Sequence, residues 1–174
     1  MDVRSIPYSS YIAQFNREAL KAHLGAIGIS YLFLGKELGA RPADRSCYVA
    51  GRVHYELLAK SQGFGEGVDR LLRGMQSHVI ALMCAEKEPM DCHRAILVAR
   101  ELVARGVNVH HILGSGEAED HKGLLQRLRT KHRLPEQDLF RSLEDINNEA
   151  YERQGARIAY VEPTDGNTSD NEDG

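Results

Sequence analysis

Cys84, Cys92, His93 and Arg94 place two thiols, an imidazole and a guanidinium around one short loop. An apolar run, Val79 to Met83, ends on Cys84, crosses the charged stretch from Ala85 to Asp91, and meets Cys92-His93-Arg94 at the start of a predicted helix. In a parallel α/β sheet the loop after a strand's carboxyl end is where ligands bind. The N-terminus of the following helix offers free N–H groups and a positive dipole end, which suit anions. A free thiol near pKa 8.5 is only about 3% thiolate at pH 7, and lowering it by about two units would make most of it nucleophilic. The helix N-terminus, Arg94 and a protonated His93 are the groups to do so. The competing reading is a small buried hydrophobe, the usual fate of a lone cysteine. Cys92, in the first helical turn, reads either as a partner resolving an oxidised Cys84 or as packing at the helix start. The planar fork of Arg94 suits a carboxylate or phosphate; alternatively it closes the loop through a salt bridge to Asp2 or Glu86.

Other segments converge on the same rim. Asp2 and Arg4 lie on one side of a short strand by alternation, so they can face the site or pair with each other. Tyr8, Ser9 and Ser10 sit in the next loop as hydrogen-bond donors to an oxyanion. His111, late in another predicted strand, reads as a general base or as a buried rim histidine, whereas His110, His121 and His132 read as surface or helix-face residues. Seven residues separate Cys84 from Cys92, unlike zinc-finger spacing, and no second ligand pair stands out, so no metal site is assigned. There is no Gly-X-Gly-X-X-Gly or Walker loop, and the cofactor is left open.

The elements that must hold these residues follow from periodicity and punctuation. Met1–Arg4, Ile29–Leu34, His78–Met83 and Val107–Leu113 read as strands, the third continuously apolar as for a strand covered on both faces. Helices are predicted from Asn16 to about Gly25, Arg52 to Ser61, Gly65 to Met75, Cys92 to Arg105, Asp120 to His132 and Ser142 to Gln154. Gly35 to Val49 reads as a long irregular loop. Strand and helix alternating with short links indicate an α/β fold, an open and mostly parallel sheet with helices on both faces.

The 174 residues suit one domain, expected over 1–160, followed by a disordered acidic tail over 161–174. That tail holds Glu162, Asp165, Asp170, Glu172 and Asp173. Without these five, 20 acidic residues face 22 basic ones, too mild an excess to mark a nucleic-acid surface. Three cysteines argue against a disulfide scaffold and for a reduced, cytoplasmic protein. Met1 is followed at once by charged Asp2 and Arg4, unlike a signal peptide, and no apolar stretch reaches the length of about 20 residues that spans a bilayer.

The blocks Asp2-Val3-Arg4-Ser5-Ile6-Pro7-Tyr8-Ser9, Phe15-Asn16, Gly28-Ile29-Ser30-Tyr31, Glu37-Leu38-Gly39 and Met83-Cys84-Ala85-Glu86-Lys87, followed by Pro89, Cys92-His93-Arg94 and His111-Ile112, resemble one bacterial family. It is the domain of unknown function 488 family, and the likeness covers about residues 1 to 140. The resemblance implies a small cytoplasmic α/β protein without supplying a reaction. Similar proteins usually carry a further strand and helix before the Asp2–Arg4 strand, so either the true start lies upstream or the sheet here lacks its first strand. Relatives often show Ser-Arg where this chain has Ser9-Ser10. A fainter similarity is to rhodanese-like domains, with an Asp-Val-Arg strand and a strand ending in a nucleophilic cysteine. Here, however, nine residues separate Cys84 from Arg94.

These readings converge on an uncharacterised α/β protein with a Cys/His/Arg pocket at the strand ends for a small anionic substrate. Catalysis would rest on Cys84, Cys92, His93 and Arg94, and binding on Asp2, Arg4, Tyr8, Ser9, Glu86 and His111. Two alternatives stay open: a module binding a nucleotide or nucleic-acid end with structural cysteines, and a metal-bound redox or sensor protein. No membrane partner is expected, and an exposed sheet edge allows a dimer.

Overall fold

Most of the chain's regular structure is helical, and the three longest helices each start at a side-chain cap. The computed structural model of the protein describes residues 1–163. Arg17–Ala26 (α1) begins after Asn16, whose side-chain oxygen accepts from the Ser9 amide and ties down the preceding loop instead of capping the helix. Gly35–Leu38 (α2) packs on Gln62–Met75 (α4), which Ser61 caps by accepting from the Phe64 amide. Tyr55–Lys60 (α3) lies between them in sequence. His121–Lys131 (α6) is capped by Asp120, and Leu143–Ile158 (α7) by Ser142 in a capping box with Asp145. Gly35 is a glycine of necessity: a Cβ there would lie 2.0 Å from the Arg4 carbonyl oxygen, so only glycine lets α2 come this close to the first segment.

The helix after the Cys-His-Arg triplet departs from expectation. Arg94–Ala99 is π-helical and continues as a regular helix, Arg100–Ala104 (α5). Residues 95 to 99 are all buried, so this wider turn is packed on every side. Its Ile96, Leu97 and Val98 join Val3, Leu34, Leu38, Leu58, Phe64, Val68 and Leu71 in one core.

The protein mixes helix and strand, and its regular sheets are small and antiparallel. Tyr48–Val49 (β1) pairs with Arg52–Val53 (β2), and His110–Ile112 (β3) with Ala118–Asp120 (β4). The expected open parallel sheet is not formed as regular strands. The segments read as Met1–Arg4, Ile29–Leu34 and His78–Met83 meet through single parallel bridges, Asp2 with Phe33 and Asp2 with Met83. The predicted strand Val107–Leu113 contributes β3 to a hairpin, because Gly116, at φ 89°, reverses the chain and brings Ala118–Asp120 alongside. The long loop from Gly35 to Val49 contains α2 and β1.

Val161 bridges Arg52, and the Glu162 amide donates to the Gly51 carbonyl at 2.9 Å while its carboxylate pairs with Arg45. The expected tail therefore begins against the body, and residues 164–174 lie outside the described residues. No described helix is long and apolar enough to cross a membrane.

Candidate functional site

The backbone first brings the reactive groups together. Val3 donates to the Met83 carbonyl at 3.0 Å, which sets Cys84 just beyond the bridged segment. The Val3 carbonyl in turn lies 3.1 Å from His93 Nε2. With a carbonyl as its partner, Nε2 must carry a hydrogen and donate it, so Nδ1 is the nitrogen left for the site. Nδ1 lies 3.5 Å from Cys84 Sγ. Glu88 caps the turn Pro89–Asp91, which carries the chain round to Cys92.

Glu86 completes the group. Its Oε2 is 2.8 Å from Cys84 Sγ and 3.1 Å from Cys92 Sγ. One ligand atom from each of Cys84, Glu86, Cys92 and His93 lies within 4.8 Å of all the others. Cys92 and His93 are buried, Cys84 is half-buried and Glu86 is exposed, so the cluster opens to solvent on the Cys84–Glu86 side.

Its electrostatics separate the two thiols. Cys84 is pulled down to about 6, first by a hydrogen bond from Cys92 and then, against the cost of burial, by His93. Cys92 is pushed far above an ordinary thiol, by its bond to Cys84 and by burial. The pair's first ionisation thus falls below that of an ordinary thiol and is favoured at the more open Cys84. Burial disfavours a charged His93, but the bond and charge of Cys84, then the charge of Glu86, more than offset it and raise the imidazole. Burial likewise pushes Glu86 up, and hydrogen bonds from both thiols leave it below its usual range. The result is a Cys84 thiol held low beside an imidazole held high, with the Glu86 carboxylate between the sulfurs, accepting from each thiol while that thiol keeps its proton.

The other expected site residues divide. Asp2 and Arg4 pair with each other: Arg4 Nε donates to Asp2 Oδ1 at 2.9 Å and Nη2 to Oδ2 at 2.7 Å. The Arg4 amide donates to Oδ1 at 3.1 Å and Tyr31 Oη to Oδ2 at 2.7 Å, making four donors in all. Burial raises Asp2, yet these donors hold it below the usual carboxylate value. This buried pair fastens the first segment, and Arg4 Nη2 also donates to the Phe15 carbonyl at 2.8 Å. Tyr8 donates to Glu18 at 2.9 Å, and Ser9 Oγ accepts from the Tyr11 and Ile12 amides, so both close their own loop. Arg94 meets neither Asp2 nor Glu86; its Nη2 makes one long contact, 3.4 Å, to the Lys87 carbonyl. Its backbone amide donates to Cys92 Sγ at 3.4 Å, which directs a helix-start N–H to sulfur and away from an incoming anion.

His111 belongs to a separate buried chain. Its Nε2 is 2.9 Å from His121 Nδ1, and His121 Nε2 is 2.5 Å from Tyr151 Oη. Burial, then the neighbouring His121, depresses His111 to about 4. His121, expected on the surface, is buried because α6 turns it inward onto α7. Glu86's place between the sulfurs was not legible from spacing, since nothing in a charged loop marks one carboxylate as turned inward.

Residues 1–100 match the model of a family described as domain of unknown function DUF488. The chain belongs to the DUF488 family. The matched span contains the whole Cys84–Glu86–Cys92–His93 cluster and the Asp2–Arg4 pair, and it stops short of His111. No curated protein and no solved structure matches the chain.

Proposed function

We propose that this DUF488 protein is a cysteine-dependent enzyme acting on a small anionic substrate. The observation that supports this reading is the placement of half-buried Cys84 between His93 Nδ1 and Cys92, with His93 fixed through Val3. A nucleophilic cysteine needs a lowered pKa and an oriented acid–base partner, and the cluster supplies both. Cys84 attacks, and the proton held at His93 Nδ1 goes to the departing group. Arg94, with only one long contact of its own, supplies N–H groups for a carboxylate or phosphate at the open side. The test is alkylation of the native protein by iodoacetamide as a function of pH, with the modified residue mapped. The proposal expects Cys84 to react with a midpoint near pH 6. A midpoint at or above the free-thiol value of about 8.5 overturns it.

A second reading is favoured by the four converging ligand atoms. Two sulfurs, an imidazole nitrogen and a carboxylate oxygen make a donor set for a divalent ion such as zinc. His93 also meets the usual requirement that a ligating imidazole donate its other N–H to a carbonyl. Elemental analysis of freshly purified protein separates the two. One zinc per chain, lost in Cys92→Ser, replaces the nucleophile with a metal centre, and metal-free protein that alkylates near pH 6 rejects the metal.

A further inference from the structure

The apolar run before Cys84 is paired along one side only. The Met1 ammonium donates to the Ala81 carbonyl at 2.7 Å, Met83 donates to the Met1 carbonyl at 2.9 Å, and Val3 donates to Met83 at 3.0 Å. Residues 81 and 83 thus face the first segment. In an extended chain the alternate residues, Ile80 and Leu82, turn their N–H and C=O the other way. Among the described residues those groups have no hydrogen-bond partner.

A second unpaired row stands on the opposite wall. The His121 amide donates to the Val109 carbonyl and the Leu113 amide to the Glu117 carbonyl, in register with His111 opposite Glu119. Val109, His111 and Leu113 therefore pair with β4, while Asn108, His110 and Ile112 point their main-chain groups away from it. Between the two walls lies a cleft of about 670 Å³ lined by residues 79–83 and 107–112. Leu71 and Met75 of α4 and Ala99 and Leu102 of the π/α5 helix also line it. Val79 is fully exposed beside it, although the run is composed for burial.

We propose that this cleft binds an extended apolar peptide segment as an added strand, running parallel to Val79–Met83 with its C-terminal carboxylate on Arg94. Two facing rows of unpaired main-chain groups call for a peptide backbone; an acyl chain of the same width would leave them unpaired. The helical linings make both faces of the inserted strand apolar. The charge of the walls selects the end group: the guanidinium of Arg94 lines the cleft, and no carboxylate does. Arg94 stands where the run leaves the cleft, its guanidinium against the Lys87 carbonyl. The cleft shares Arg94 with the pocket proposed above but uses neither Cys84 nor His93, so peptide binding and alkylation of Cys84 near pH 6 succeed or fail separately.

The test is fluorescence anisotropy of the full chain with a labelled peptide of five alternating valines and isoleucines behind a lysine-rich head. Saturable binding is expected. The C-terminal amide should bind about tenfold more weakly, the loss of one charge-assisted contact, and Arg94→Gln should abolish that difference. Methylating alternate backbone nitrogens of the peptide, which leaves the protein untouched, should abolish binding, as should Ile80→Asp. Absence of saturable binding to folded protein overturns the proposal. So does equal binding of the methylated peptide, which would reduce the cleft to an apolar hollow. A dimer in sedimentation that Ile80→Asp dissociates would overturn it too, by giving the cleft to a second copy.

Discussion

Replacing Cys92 with alanine removes the donor that contributes most to holding Cys84 ionised. The Cys84 midpoint should move from about 6 towards the ordinary 8.5. At pH 7 the thiolate fraction then falls from about 90% to about 3%, roughly thirtyfold. The more basic thiolate is a better nucleophile, and a Brønsted slope of about 0.4–0.5 over some 2.5 units returns roughly tenfold. The net change at pH 7 is therefore only about threefold, too small to decide anything alone. The pH profile decides it: near pH 5.5 the variant should be about twentyfold slower, and above pH 9 about tenfold faster, so the two curves cross. The assay is the initial release of 4-thiopyridone from 4,4′-dithiodipyridine, with the modified cysteine mapped. Two profiles with a shared midpoint near 6 would refute Cys92 as the donor, and two near 8.5 would refute the thiolate itself.

Other consequences are direct. His93→Leu should raise the Cys84 midpoint and, by stranding the Val3 carbonyl, cost about 1–3 kcal/mol in urea unfolding; unchanged stability would contradict the His93–Val3 bond. Asp2→Asn breaks a buried pair and should cost about 3–5 kcal/mol. Because the Asp2 carboxyl is held low in the folded state, its contribution is complete above the ordinary carboxylate value near 4 and is lost as pH falls further, so the variant should show a flatter acid limb. His111 behaves oppositely to a paired histidine: its folded value of about 4 lies below the unfolded 6.5, so protonation favours unfolding. Stability should fall by up to about 3 kcal/mol from pH 6.5 to 4, and a His111→Phe variant that keeps the full slope would count against this.

What the sequence made legible was what local chemistry controls. The cap at Ser142, the helix near Asn16 and the pairing of Asp2 with Arg4 each depend on residues a few positions apart. The gathering of Cys84, Cys92 and His93 was readable because one loop connects them. The inward turn of Glu86 was not, since it depends on two thiols accepting the carboxylate as a neighbour. Nor was burial of His121, which follows from how α6 packs on α7. The sheet was misjudged at Val107–Leu113 because apolar alternation shows that a strand forms but not which strand it joins; the turn at Gly116 gave it a local partner. Tyr8 and Ser9, read as ligand donors, are engaged by Glu18 and by their own loop's amides, contacts that residue spacing does not reveal.

The most direct measurement is thiolate absorbance at 240 nm, followed from pH 4 to 10 in the native protein and in Cys84→Ser. The account predicts one thiolate appearing with a midpoint near 6 in the native protein, and no such step in the variant. No rise below pH 8, or a step that survives loss of Cys84, would contradict it.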